Sequence, residues 1–246
     1  MESIKHNDPI VVSFVHAVQT GDVDALHRLL EEFPELASQR VQDSKGISRT
    51  ALHVVSDWPG YFPNGPMIVE MLIAKGADPN APIIGGRYSE TPLHWAASSD
   101  DVDVAAVLID GGADIEGLGG SIGGGSPLDN AVGYGCWNVA RLLVQRGARV
   151  DRLWHAAALG MMPRIQELLA SNSSPAAEDI TEAFWQACHG GQRRAAEYLL
   201  SRGADINGSP DYTNQTPLDA AGGIDTRRDT MVTWLISIGA KSSLQS

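Results

Sequence analysis

Apolar residues recur along this chain at helical rather than alternating spacing. The clearest stretch runs from Thr91 to Asp114. Leu93, Ala96 and Ala97 line one face of a short helix, and Val104, Val107, Leu108 and Ile109 line one face of a second. Thr91 stands where an N-cap is wanted. Pro92 takes the first helical position, where its missing N–H is harmless. Asp100 or Asp101 is placed to cap the second helix. Gly111 and Gly112 end it, because a left-handed closing residue is unstrained only for glycine. Two helices of this size cannot hide their own apolar faces, so the unit must stack on copies of itself.

Those copies recur along the chain. Thr91-Pro92-Leu93 returns as Thr216-Pro217-Leu218, with variants Thr50-Ala51-Leu52 and Ser126-Pro127-Leu128. A Gly-Ala pair closes second helices at Gly76-Ala77, Gly147-Ala148, Gly203-Ala204 and Gly239-Ala240. With the His94-Trp95-Ala96 continuation, this pattern resembles the ankyrin repeat, whose consensus is T-P-L-H-x-A in a unit of about 33 residues. The resemblance covers nearly the whole chain. It implies an all-α solenoid of helix-turn-helix repeats with short β-hairpin fingers and a concave groove. It further suggests a bacterial-type single-domain protein over residues 1–246, with about seven repeats and degenerate caps. The repeats fall near 7–36, 45–78, 86–114, 121–149, 150–172, 177–205 and 211–241.

Register is uneven in three places. Repeat two carries an insertion, Trp58 to Pro66, with Trp58, Tyr61 and Phe62 on a Pro/Gly-rich loop. The finger before repeat four, Gly117 to Gly125, is nearly all glycine. It reads as a mobile finger that orders over a ligand, or as a plain flexible linker; its spacing is no phosphate-binding fingerprint. Equivalent positions Phe14, Leu52, Leu93, Leu128, Leu153, Phe184 and Leu218 are 38, 41, 35, 25, 31 and 34 residues apart. The short step of 25 leaves no room for a hairpin finger between Arg146 and Leu153, which predicts a gap in the groove there. The Ser/Pro/Ala-rich stretch 171–179 reads as a longer loop.

Charge and cysteine narrow the function classes. The formal net charge is −12, and no basic stripe appears, which argues against nucleic acid as partner. The acidic balance favours a cationic partner. Cys136 and Cys188 form no disulfide framework and are expected as free thiols; no spacing suggests a zinc site. No cofactor fingerprint and no membrane-length apolar run is present, so the expectation is a cytoplasmic protein without cofactor, metal or membrane partner.

The resemblance implies that the two residues after each Ala-Ala position face the groove. These are Gln19 and Thr20, Asp57 and Trp58, Ser98 and Ser99, Gly133 and Tyr134, Ala158 and Leu159, His189 and Gly190, and Gly223 and Ile224. Five of the six tryptophans fall on first helices or the turns after them. Aromatic groups with an N–H or O–H handle are common anchors of binding sites, and glycines beside them leave room for a pocket. The candidate binding set is Asp57, Trp58, Tyr61, Tyr88, Trp95, Ser98, Asp100, Tyr134, Trp154, Trp185 and His189. Against it stands a plainer account. Trp95, Trp154 and Trp185 fill gaps between helices, Trp137 is core, Asp100 and Asp101 are caps, and His53 and His94 bond backbone between fingers.

Two functions follow. The first is a non-catalytic module that binds a protein partner through an aromatic-rich, acidic groove. The second is an enzyme or binder of a small apolar ligand. Its acid/base residues would come from His189, His155, Asp57, Asp101 and Tyr134, working in hydrolysis, isomerisation or cyclisation.

Overall fold

The computed structural model describes residues 4–171, 175–223 and 228–245, so Ile224 and Arg227 lie outside the described residues. The chain divides into two compact units, Met1–Ala148 and Arg149–Ser246. The division falls at the boundary between the fourth and fifth repeats expected from the spacing.

The first unit holds four helix pairs: α1 (Pro9–Thr20) with α2 (Val23–Glu32), α3 (Ala51–Val55) with α4 (Gly65–Ala74), α5 (Pro92–Ser98) with α6 (Val102–Asp110), and α7 (Pro127–Gly133) with α8 (Trp137–Gln145). A small sheet joins β1 (Ile4–Lys5), parallel to β2 (Arg40–Gln42), which pairs antiparallel with β3 (Ser48–Thr50). First helices stack on first helices, α1 on α3, α3 on α5 and α5 on α7; second helices do likewise, α4 on α6 and α6 on α8. Leu52, Leu93 and Leu128, the equivalent positions of the repeat, are all fully buried. Trp137 opens α8 and is buried, so it joins Trp234 on a second helix rather than the other tryptophans on first helices.

The second unit holds three pairs: α9 (Leu153–Ala158) with α10 (Met162–Ser171), α11 (Ala177–His189) with α12 (Arg193–Ser201), and α13 (Pro217–Ala221) with α14 (Asp229–Ser237). Helix α11 is its centre and packs on α9, α12 and α13. It begins several residues earlier than the pattern suggests. Glu178 and Asp179 fill its first turn, where carboxylates favour the positive end of a helix. Only residues 146–152 separate α8 from α9, and they form no strand, in keeping with the short step in the repeat spacing. Gly190 is buried where a Cβ would meet the Ala158 carbonyl oxygen at 2.2 Å. That glycine permits close approach of backbone and does not open a pocket beside His189. Both cysteines are free and buried, and burial pushes the Cys136 thiol up to about 12. Among the described residues, no helix is long and apolar enough to cross a membrane.

Local chemistry explains the helix starts. Thr50, Thr91, Ser126 and Thr216 each form a reciprocal cap with the residue three positions on. That residue is Asp129 or Asp219 in two repeats, the ordinary acidic partner. In the other two it is histidine. Nδ1 of His53 accepts the Thr50 N–H at 3.2 Å, and Nδ1 of His94 accepts that of Thr91 at 3.1 Å. The tautomer is thereby set: Nε2–H donates onward, from His53 to the Glu90 carbonyl at 3.0 Å and from His94 to the Gly125 carbonyl at 3.1 Å. The glycine-rich finger is correspondingly ordered. Gly119 and Gly120 donate to the Gly124 and Gly125 carbonyls, and Ser89 of the preceding finger donates to Gly119.

Both rings are buried, and burial lowers their pKa, for His53 to about 3. The unfolded chain therefore binds protons that the folded chain refuses between about 6.5 and about 3. Stability should fall as pH drops through that window, by about 1.4 kcal/mol per pH unit for His53, and His94 acts in the same direction. Urea unfolding followed by tryptophan fluorescence should show the midpoint dropping on acidification. A His53→Gln variant, which has no ring to titrate, should show a shallower slope.

Candidate functional site

The insertion after α3 is tied down at several points. The Asp57 carboxylate accepts the Trp58 N–H at 2.9 Å and pairs with Arg49 at 3.0 Å. Tyr61 adopts the left-handed region at φ 54, its N–H donates to the Asp101 carboxylate and its hydroxyl donates to the Asp100 carbonyl. Asn64 donates to the Gly21 carbonyl at 2.9 Å. The indole of Trp58 is left in solvent, 78% exposed.

This loop, the end of α5, the glycine-rich finger and the end of α7 enclose a recess of about 470 Å³ in the first unit. Its lining comprises Asp57, Trp58, Glu90 and Trp95, together with Ser98, Ser99, Ser121 and Tyr134. Glu90 holds it together. One carboxylate oxygen accepts the Ser121 N–H at 2.9 Å and the Asn130 Nδ2 at 2.8 Å; the other accepts the Trp95 indole N–H at 3.2 Å. Asn130 is fully buried, donates also to the Ser98 hydroxyl, and accepts the Ile122 N–H. The Ser121 and Tyr134 hydroxyls lie 3.1 Å apart. Trp95 is flanked by the edge of His53 at 5.1 Å and by the Arg49 guanidinium at 5.9 Å. Burial pushes the Asp57 carboxyl up, against the pull of Arg49.

The structure thus gathers Asp57, Trp58, Trp95, Ser98 and Tyr134 of the candidate set around one recess. Glu90, its organiser, carries no signal in the sequence beyond its place before the Thr91 cap. Asp101 is 1% exposed, and its carboxylate caps α6 through the Val104 N–H. Asp100 caps a different helix: its carboxylate accepts the N–H groups of Asn138 and Val139 at the start of α8, both at 2.9 Å. Tyr61 fastens the loop, and Tyr88 lies under the Arg87 guanidinium at 5.2 Å; neither lines the recess.

The remaining candidates belong to the second unit. Trp185 is buried, and its indole donates to the Gln215 carbonyl at 2.7 Å. It is a core residue tied to a finger, not an exposed ring. His155 is buried with its ring 4.1 Å from that of Trp154. Trp154 is half-buried at the edge of a separate hollow with Asp151, Arg152 and Leu168. His189 is half-buried against Trp185 at 5.1 Å, and burial holds its pKa down at about 4. The acid/base set is therefore divided, with both histidines in the second unit and Asp57, Asp101 and Tyr134 in the first. Among the described residues, no group of three or more His, Cys, Asp or Glu is placed to hold a metal ion.

Comparison with known proteins agrees with this architecture. The family model described as ankyrin repeats (three copies) matches residues 61–152. The B-cell lymphoma 3 protein homolog of Mus musculus is 27% identical over 220 residues, covering 83% of this chain and 46% of its own. A putative ankyrin repeat protein of Rickettsia felis is 32% identical over 108 residues, covering 44% of this chain and 45% of its own. The chain spans less than half the length of the curated relatives it matches. Among solved structures, the ankyrin repeat domain of Bcl-3, described as a unique member of the IkappaB protein family, superposes with a TM-score of 0.53 at 23% identity. That match covers 96% of this chain and 100% of the other.

The Glu90 network generates a stability prediction. Truncating Asn130 to alanine leaves the Ile122 N–H without its side-chain acceptor and takes one of two donors from a Glu90 carboxylate oxygen, which keeps the Ser121 N–H. A loss of about 1–3 kcal/mol is expected. Denaturant unfolding of Asn130→Ala should show it, together with a shift in the Trp95 indole resonance. An unchanged midpoint would mean that the recess is not held by this network.

Proposed function

We propose that this ankyrin-repeat protein is an interaction module that binds a protein partner through the recess of its first unit. Ankyrin repeats typically bind protein partners. The observation that carries the assignment to this site is the exposure of Trp58 at 78% and Tyr134 at 51% at the mouth of a recess whose floor is knit together by hydrogen bonds to Glu90. Large rings left in water are costly to the free protein and are the residue types that dominate interface energetics. The floor is rigid: Trp95, Ser98, Ser121 and Asn130 all bond to Glu90 or to one another. A partner therefore meets a preorganised surface and little ordering entropy is lost on binding.

The partner surface is expected to be complementary to an acidic protein with net charge −12. Long-range attraction of a basic segment raises the rate of encounter and makes it sensitive to salt.

The double variant Trp58→Ala, Tyr134→Ala tests the site. Neither ring is part of the buried core, so circular dichroism and thermal midpoint should match the parent. A partner identified by cross-linking and mass spectrometry should lose affinity by about 2 kcal/mol or more, the scale of interface hot spots. Undiminished binding of that partner by the variant would overturn the assignment.

A further inference from the structure

The recess keeps a cation at its own edge. The Arg49 guanidinium reaches the Asp57 carboxylate at 3.0 Å and stands 5.9 Å from the centroid of the Trp95 ring. This pair accounts for the charge of Asp57. The charge of Glu90 is answered differently: its carboxylate accepts three N–H groups, all from neutral donors. A carboxylate offers about four lone-pair positions; three of Glu90's are taken among the described residues, and Glu90 lines the recess. No lysine or arginine is among the lining residues. The remaining walls are the rings of Trp58, Trp95 and Tyr134 and small hydroxyls.

We propose that this recess receives an arginine side chain of the bound partner, with its guanidinium against the aromatic walls and hydrogen-bonded to the Glu90 carboxylate. The inference rests on the reading that a protein partner engages this face, and it names the chemistry of the anchor. A guanidinium is planar and weakly hydrated, stacks flat on ring faces and presents several N–H donors in one plane; an ammonium can also sit over a ring face but has no plane to stack and is more strongly hydrated. Arg49 shows the same combination already formed within the chain, one carboxylate and one indole around one guanidinium. An anionic anchor would be repelled by the Glu90 carboxylate, and an apolar one would bring it no donor.

The probe is N-acetyl-arginine amide, titrated into the full chain labelled with nitrogen-15 while the six indole N–H signals are followed. The Trp58 and Trp95 signals, assigned from Trp→Phe variants, should shift along a saturable curve, and the Trp154 and Trp234 signals should stay. N-acetyl-citrulline amide, the neutral isostere, should produce no such curve. N-acetyl-lysine amide should bind more weakly. Trp58→Ala should lower the arginine affinity about threefold, as expected for one exposed cation–π contact. Equal curves for arginine and citrulline, or no curve for arginine, would overturn the cationic anchor. Equal curves for arginine and lysine would overturn its assignment to a guanidinium. None of these results depends on capture of the protein partner, which the double variant tests by itself.

Discussion

In the first unit, one kind of hydrogen-bonded bridge, made twice, decides where the rest can sit. His53 and His94 each close a helix start with one ring nitrogen and reach the next finger's carbonyl with the other. The ring is a two-ended connector whose ends have opposite polarity, and neither end works unless the other is in place. Because both rings are buried, an unmade bond would strand a polar group away from water. Successive repeats are therefore held not only side by side but at one fixed height. The apolar contacts of Leu52, Leu93 and Leu128 do not supply that, since burial is indifferent to small slides.

Glu90 joins that connector to the recess. Its backbone carbonyl receives His53, and its carboxylate receives Trp95, Asn130 and Ser121. One residue thus transmits the register of the stack to the floor of the site. The glycine-rich finger follows from the same geometry. At Gly120 a Cβ would meet the Asn130 side chain at 2.5 Å and the His94 ring at 2.9 Å, so backbone must stand where a side chain cannot. Gly120 and Gly125 fit closely around the buried Asn130, His94 and Asp129 side chains, while Gly123 and Gly124, both at positive φ, turn the finger in open space.

Much of the architecture was readable because its causes are local. A cap and a proline at the first helical turn act within a few residues of one another, so four of the seven helix pairs among the described residues could be placed from Thr50, Thr91, Ser126 and Thr216. The bridging role of His53 and His94 was legible from the resemblance to the repeat consensus, and the missing finger after α8 from the short spacing between repeats. What could not be read is what depends on partners far along the chain. Glu90 and Asn130 look like surface residues in a linear sequence, and only the fold brings them together. Asp100 was expected as a cap of its own repeat's second helix or as a binding residue; it caps α8 because a left-handed backbone turns its side chain toward the next repeat. The burial of Trp185 and His155 could not be read either, since an indole or imidazole on a first helix looks alike whether it faces water or a neighbouring helix. Trp58 and Tyr134 stand in solvent at the positions that the repeat pattern assigns to an open face.

The adjacent carboxylates of Asp100 and Asp101 serve two different repeats, and the loop from Trp58 to Pro66 is fastened to the same turn through Tyr61. Three consecutive modules thus share one dipeptide. Arrays of this kind are usually treated as beads that can be added, removed or shuffled with only nearest-neighbour consequences. Here, excising the middle bead would uncap the next one and unmoor the previous one's loop in a single cut. For anyone recombining such proteins, the smallest transferable piece of this chain is the block of three, not the single repeat.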